Sequence, residues 1–215
     1  TVVTFGFDSA VHLATECMDR LHSTAESHQR IMVVAVMGRY AGWIALNSGV
    51  ASTADCILIP EIPYDIQKVA EKVLQRDQQG RRFSIIVTAE GAKPIGGSYT
   101  VAAKKEAGAV ERLGGVGQKV AEELAALTGK DARYVSLGHL LRGGMPTASD
   151  RLLSLRFGAA AVRALGEGQS GIMVAIDPPD VKYVPLEQSI SRMKTVPLTC
   201  DTLLTARDLG ICLGD

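Results

Sequence analysis

A parallel α/β sheet covered by helices on both faces is the fold this sequence predicts, from three features. Ile31–Val36 is a run of six apolar residues, mostly β-branched, with no polar residue alternating through it. Residues 56–59 and 83–89 read the same way, as strands too apolar to be half-exposed. Segments of helical periodicity stand between these runs, and strand-helix-strand alternation is the mark of a three-layer αβα sandwich with a mainly parallel sheet.

The elements follow in order from local chemistry. Asp8 is placed to cap a helix whose apolar positions Val11, Ala14, Met18 and Leu21 recur at helical spacing until Ser23 and Thr24. Residues 43–50 form a helix after the first strand, and Pro60 closes the second strand. Asp65 caps a helix over 66–79, Gly80 ends it, and the third strand runs into Glu90 and Gly91. The glycine-rich stretch 92–117 is expected to be a loop with a short helix at 102–107. Val120, Leu124 and Leu127 mark a helix over 116–127, with Gly129 beyond its end. Residues 134–137 form a fourth strand, which leads into Gly138-His139-Leu140-Leu141-Arg142-Gly143-Gly144. Thr147 caps a helix over 148–165 bearing the apolar stripe Leu152, Leu155, Ala159 and Val162. A fifth buried strand is expected at 170–176, a short sixth at 183–184, and helices at 187–194 and 202–209. The chain begins Thr-Val-Val-Thr-Phe-Gly-Phe without an initiator Met, which reads as a cut piece of a longer chain.

Composition narrows the function. With 23 Lys and Arg against 23 Asp and Glu, no net field draws the chain to nucleic acid or an anionic membrane, so any basic site is a local cluster. The longest strictly apolar run, residues 31–37, is far too short to span a bilayer. Cys17, Cys56, Cys200 and Cys212 are widely spaced with no C-x-x-C pair, which points to a reduced, cytoplasmic protein with cysteines that pack as small hydrophobes.

Cations then mark both ends of two strands. Arg30 precedes the strand that Met37-Gly38-Arg39 follows, and Arg133 precedes the strand that His139 and Arg142 follow. At about 3.3 Å per residue, Arg30 and Arg39 stand about 20 Å or more apart, too far to share one small anion. If the two strands are parallel neighbours, Arg39, His139 and Arg142 gather at the carboxyl edge with Glu90, and Arg30 and Arg133 gather at the opposite edge. Arginine forks and an imidazole on glycine loops suit a phosphate dianion, and a carboxylate beside them suits sugar hydroxyls. Simpler readings exist: Arg30 and Arg133 as solvated charges, Glu90 as a helix cap or local ion pair, Met37 as half core and half site wall, and His139 as a structural histidine, against which its glycine neighbours leave no side chains to pack it away. His12, His22 and His28 lack metal-ligand spacing and read as structural. Neither G-x-G-x-x-G nor G-x-x-x-x-G-K-[ST] is present.

The order T-x-x-T-F-G-F, T-A-E-S-H-Q-R, V-x-V-M-G-R-Y-A-G-W, I-P-E, L-G-H-L-L-R-G-G and D-R-L-L-S-L-R-F-G resembles the 6-phosphofructokinases along essentially the whole chain. A-G-W-I-A-L, A-E-G-A-K-P and R-L-G-G-V-G are similar to the bacterial group that includes ATP-dependent and diphosphate-dependent members. The resemblance implies that Met37, Gly38 and Arg39 lie over fructose 6-phosphate, with Arg39 reaching toward the transferred phosphoryl group. It implies that Glu90 holds sugar hydroxyls, that His139 binds the 6-phosphate, and that Arg142 binds substrate and steadies transition-state charge. Arg30 and Arg133 match the pair that crosses a subunit interface to grip the 6-phosphate in a neighbouring copy, so a homo-oligomer, dimer or tetramer, is implied. The general-base aspartate, the glycine-rich donor loop and the residues facing Mg²⁺ belong to a part upstream of the motifs found here. The chain then divides into a fructose 6-phosphate-binding domain (1–141), a segment returning to the donor-binding domain (142–190) and a tail (191–215). By the same likeness the face of 147–176 is left exposed in isolation, and the 215 residues alone turn over nothing.

Some positions depart from the family pattern. Ala35 stands where Glu is common, Ser52-Thr53 where Gly-Gly is, Leu141 where Gln is, and His22 where allosterically controlled members place an effector-binding arginine. Loss of the carboxylate at 35 is expected to weaken support for the Met37–Arg39 loop. Two other readings remain beside the kinase: a catalytically inactive relative kept as a regulatory or structural subunit, and a nucleotide-binding oxidoreductase, which needs a glycine fingerprint that is missing here.

Overall fold

The computed structural model describes residues 3–103, 112–191 and 193–215. In chain order the elements are α1 (Phe7–His28), β1 (Ile31–Val36), α2 (Trp43–Ala51), β2 (Cys56–Leu58), α3 (Ile66–Gln78), β3 (Ser84–Ala89), β4 (Val101–Ala103), β5 (Arg112–Leu113), α4 (Val116–Thr128) and β6 (Ala132–Ser136). A 3₁₀ turn (Gly138–Arg142), α5 (Ala148–Gly166), β7 (Ile172–Asp177), β8 (Asp180–Pro185), α6 (Leu186–Ile190) and α7 (Asp201–Asp208) complete it. Four strands form a parallel sheet in the order β2-β3-β1-β6.

Each face of that sheet has its own core. Met32, Val34 and Val36 of β1 pack with Ala14 and Met18 of α1, Leu46 of α2 and Leu203 of α7. Ile31 and Val33 point the other way, onto Val69 and Val73 of α3 and Val120 and Leu124 of α4. Alternate side chains of one strand thus enter opposite cores, which is why the run had to be apolar at every position.

Three elements differ from the sequence expectation. Helix α1 starts at Phe7 with Gly6 rather than Asp8 at its cap, and it passes through Ser23 and Thr24 to His28. Ser23 and Ser27 donate their hydroxyls back to the carbonyls of Arg20 and Thr24, so residues that favour turns stay inside the helix. Asp8 instead accepts a bond from Thr147 Oγ1 at 2.5 Å.

The second difference is that Ile172–Asp177 does not join the main sheet. It pairs antiparallel with β8 in a separate hairpin, half-exposed, because a tight turn returns the chain at once and no crossover carries it to a parallel neighbour. Tyr183 Oη donates to Ala160 O of α5 at 3.4 Å, fixing hairpin and helix together. The third difference is that the 187–194 helix is only α6. The expected helix at 102–107 falls mostly outside the described residues, and Val101–Ala103 is strand.

Helix α5 buries Leu153, Ala160 and Ala164, while its other apolar stripe is open: Leu152, Leu155, Val162 and Leu165 are each at least 60% exposed. Its first turn is tied to α1, where Ser9 N and Oγ both donate to the buried Asp150 Oδ2, at 2.8 and 2.6 Å. Among the described residues no helix is long and apolar enough to cross a membrane.

Candidate functional site

At the carboxyl edge of the sheet, β1 and β3 end side by side, and the chain after β1 turns sharply at Gly38 and Arg39. Arg39 holds a left-handed φ of 51°, a conformation costly for a residue with a Cβ. It is held there by Glu90, whose Oε1 accepts from Arg39 N at 2.6 Å and from Gly38 N at 3.4 Å. Gly91 makes this approach possible: a Cβ there would stand 2.0 Å from Arg39 O. Gly91→Ala is therefore expected to push the Arg39 loop off Glu90 and cost about 1–3 kcal/mol, read as a lower urea midpoint with an unchanged slope.

A cleft of about 300 Å³ opens above this loop, lined among others by Met37, Gly38, Arg39, Glu90 and Arg142, with Thr4 and Phe7 on its far wall. Arg142 and His139 belong to the 3₁₀ turn, whose i and i+3 positions stack on one side, so His139 lies one turn before Arg142. His139 is exposed and does not line that cleft. Leu141 is the buried residue of the turn and anchors it in the core beneath α1, a structural role that a glutamine would not fill. Ala35 lines a smaller neighbouring pocket of about 90 Å³ with Glu90, Tyr134 and Ser136. A Cβ on Gly117 would stand 2.6 Å from the Tyr134 ring and 3.1 Å from Ala35, so aromatic and small residues fit together there. Glu90 meets the Gly38 and Arg39 amides of this loop, and the Ala35 side chain brings no polar group to it.

At the opposite edge β6 is the direct neighbour of β1, with Arg133 in register with Met32. One carboxylate gathers both arginines: Asp131 Oδ2 meets Arg30 Nε at 2.6 Å, and Asp131 Oδ1 meets Arg133 Nε at 3.2 Å. The two cations expected at this rim are thus held together, at the far end of β1 from Arg39.

Two acidic residues to which the sequence assigned no role hold this frame. Asp131 is one. The other is Glu61, whose carboxylate accepts from Gly42 N at 3.1 Å and from Val196 N at 2.8 Å, tying the start of α2 to the segment before α7. It stands two buried residues, Ile59 and Pro60, beyond the end of β2 and closes the I-P-E motif, which is the one signal the sequence carries for it. Trp43 Nε1 donates to Lys194 O at 2.9 Å and secures the same segment. His22 is structural, as expected: its Nε2 lies 3.1 Å from Ser52 O and its ring meets Phe83 edge-on.

The family model described as phosphofructokinase matches residues 1–165. The chain belongs to the phosphofructokinase family. Among curated relatives, the ATP-dependent 6-phosphofructokinase of Chloroflexus aurantiacus is 55% identical over 212 residues, 99% of this chain and 58% of that protein. The pyrophosphate–fructose 6-phosphate 1-phosphotransferase of Amycolatopsis methanolica is 51% identical over 92% of this chain and 58% of its own length. This phosphofructokinase chain thus spans a little over half the length of the curated relatives it matches. The solved phosphofructokinase of Pichia pastoris in its T-state aligns with a TM-score of 0.74 and 31% identity, over 89% of this chain and 21% of that one. A pyrophosphate-dependent phosphofructokinase from Marinobacter aquaeolei, 21% identical over 98% of this chain and 55% of that one, shares the fold at a TM-score of 0.74.

Proposed function

We propose that this chain is the fructose 6-phosphate-binding portion of a 6-phosphofructokinase that moves a phosphoryl group from ATP or diphosphate to the sugar's 1-hydroxyl. What carries the reading is the pair of cationic rims on one sheet: Arg39 and Arg142 around one cleft, Arg30 and Arg133 bracketing Asp131 at the other end. A rim about 20 Å from the cleft can serve it only from another copy, so the working form is a homo-oligomer.

In this mechanism the chain binds and stabilises charge. Arg39 and Arg142 balance the charge that spreads over the transferred phosphoryl group, and Glu90 holds the Arg39 backbone, from which the guanidinium reaches out. Glu90 spends Oε1 on the two loop amides, which leaves Oε2 to accept from sugar hydroxyls. His139 and the neighbour's Arg30 and Arg133 take the 6-phosphate, and Met37 walls the sugar. Among the described residues no three acidic, histidine or cysteine side chains converge to hold a metal ion. The Mg²⁺ that the family likeness implies therefore has no ligand set among them, and none of these roles depends on it. The site of action proposed is the cytoplasm, on soluble sugar phosphates.

The test is a transplant. Residues 1–215 joined behind the upstream part of the Chloroflexus aurantiacus relative should form fructose 1,6-bisphosphate with ATP or with diphosphate. The purified 215 residues should form none with either donor. A folded transplant that is inactive with both donors would overturn the proposal.

A further inference from the structure

Residues 211–213 run beside the edge strand β2 as an added partner. Ile57 N donates to Cys212 O at 2.9 Å and Cys212 N to Asp55 O at 3.0 Å. This pairing sets Cys212 opposite Cys56 in a parallel bridge. Both cysteines are free thiols; Cys56 is fully buried and Cys212 is partly open to solvent. Opposed residues of neighbouring strands lie about 4.8 Å apart, inside the roughly 4.4–6.8 Å Cα separation that a disulfide spans. Cys17 on α1 and Cys200 before α7 are not in register with a second cysteine among the described residues.

We propose that Cys56 and Cys212 are a peroxide-reactive thiol pair that closes to a disulfide and fastens residues 211–215 to the edge of the sheet. Cys212 is the attacking sulfur. The hydrogen bond from Cys56, helped by the Gly214 amide at 3.4 Å and the charge of Lys72, brings its thiol down to about 7 against burial and Asp215. The thiolate is the form that attacks, and of the two sulfurs only that of Cys212, which also lies 3.9 Å from Lys68 O, belongs to a residue open to solvent. That same contact and burial push the Cys56 thiol up, so it stays protonated until the second step.

The electrons and atoms balance with hydrogen peroxide as the oxidant. Cys212 thiolate attacks one peroxide oxygen and the O–O bond breaks; the hydroxide that leaves takes up a proton as the first water, and Cys212 is a sulfenic acid. Cys56 sulfur then attacks Cys212 sulfur, the S–O bond breaks, and the departing hydroxide takes the Cys56 proton as the second water. Two thiols and one peroxide give one disulfide and two waters. Capture by a neighbour already in register is what spares Cys212 from further oxidation, and a small-molecule thiol reverses the bond.

None of this chemistry draws on the proposed sugar-phosphate site. The reduced chain is treated with stoichiometric hydrogen peroxide, alkylated, digested and mapped by mass spectrometry. The expected product is one cross-linked peptide joining Cys56 to Cys212, in about tenfold or greater excess over any link to Cys17 or Cys200. Cys56→Ser should leave a sulfenic acid on Cys212 that dimedone traps, and Cys212→Ser should leave Cys56 unreacted. Oxidation of Cys212 without the link, or links scattered evenly over the four cysteines, would overturn the proposal. The unsubstituted chain alone separates these outcomes, whether or not either variant folds.

Discussion

Replacing Asp55 with alanine is expected to lower the unfolding free energy of the purified chain by about 3–5 kcal/mol, a large share of what an ordinary domain has. Asp55 sits just before β2 with a nearly buried side chain. Its Oδ1 meets Arg76 Nη1 of α3 at 2.7 Å, and its Oδ2 accepts from Ile85 N of β3 at 2.9 Å. Removing it strands a guanidinium that is itself nearly buried and whose Nε already lacks a partner among the described residues. It also leaves the Ile85 amide unmet. A pair at the surface would be worth a fraction of this. Urea unfolding of Asp55→Ala, Arg76→Met and the double variant separates the terms. The double variant should be more stable than Asp55→Ala alone, because the damage comes from the charge left behind. Additive losses would show that the two side chains do not act as a pair.

The same residue gives a pH signature of defined sign. Burial raises the Asp55 carboxyl above the ordinary range, outweighing the Ile85 amide and the Arg76 charge. The folded state therefore binds this proton more tightly than the unfolded chain does. The resulting contribution to stability is fully present below the unfolded value of about 4 and is lost as pH rises through the folded one. Compared with Asp55→Asn, which cannot titrate, the parent chain should gain relative stability as the solution is acidified across that window.

The parts of this fold that were legible in the sequence are those where a single constraint dominates. Ile31–Val36 could only be a central strand, since all six residues are buried and five of their side chains enter one of two cores. Ile172–Ile176 is as apolar but lies in a two-stranded hairpin apart from the main sheet. Composition reports burial and says nothing about which surface does the burying. Along α5 the stripe of Leu152, Leu155 and Val162 has the periodicity of a core face, yet it is exposed, because periodicity shows only that a face is apolar. At the site, Arg39, Glu90 and Arg142 stood out as charges in the turns that follow apolar strands. Glu61, though it too stands in the turn after an apolar strand, and Asp131 showed no role, because their partners, Val196 and Arg30, are brought to them by the fold from far along the chain.

Two inactive variants are expected to restore each other's activity when mixed. In the transplanted, full-length form, Arg142→Ala removes a cation from the cleft rim and Arg133→Ala removes one from the opposite rim. Each alone should lower kcat/KM by about 10²–10³, since a charge-assisted contact to phosphate is lost at a site built for it. If the 6-phosphate is gripped by the opposite rim of a neighbouring copy, a mixed dimer holds one site carrying both lesions and one carrying neither. Random reassortment makes half of the dimers mixed, so activity should return to about one quarter of the parent level. Denaturing and refolding the two variants together, against each refolded alone, gives the measurement. Recovery cannot arise if each chain completes its own site, because every copy then carries one lesion in the only pocket it has. The strand geometry sets this expectation: the six residues of β1 separate Arg30 from the Met37–Arg39 turn, and Asp131 holds Arg133 beside Arg30 at the far end. Failure of the mixture to recover, with mixed dimers demonstrated by mass, would assign both rims to separate ligands and end the shared-site reading.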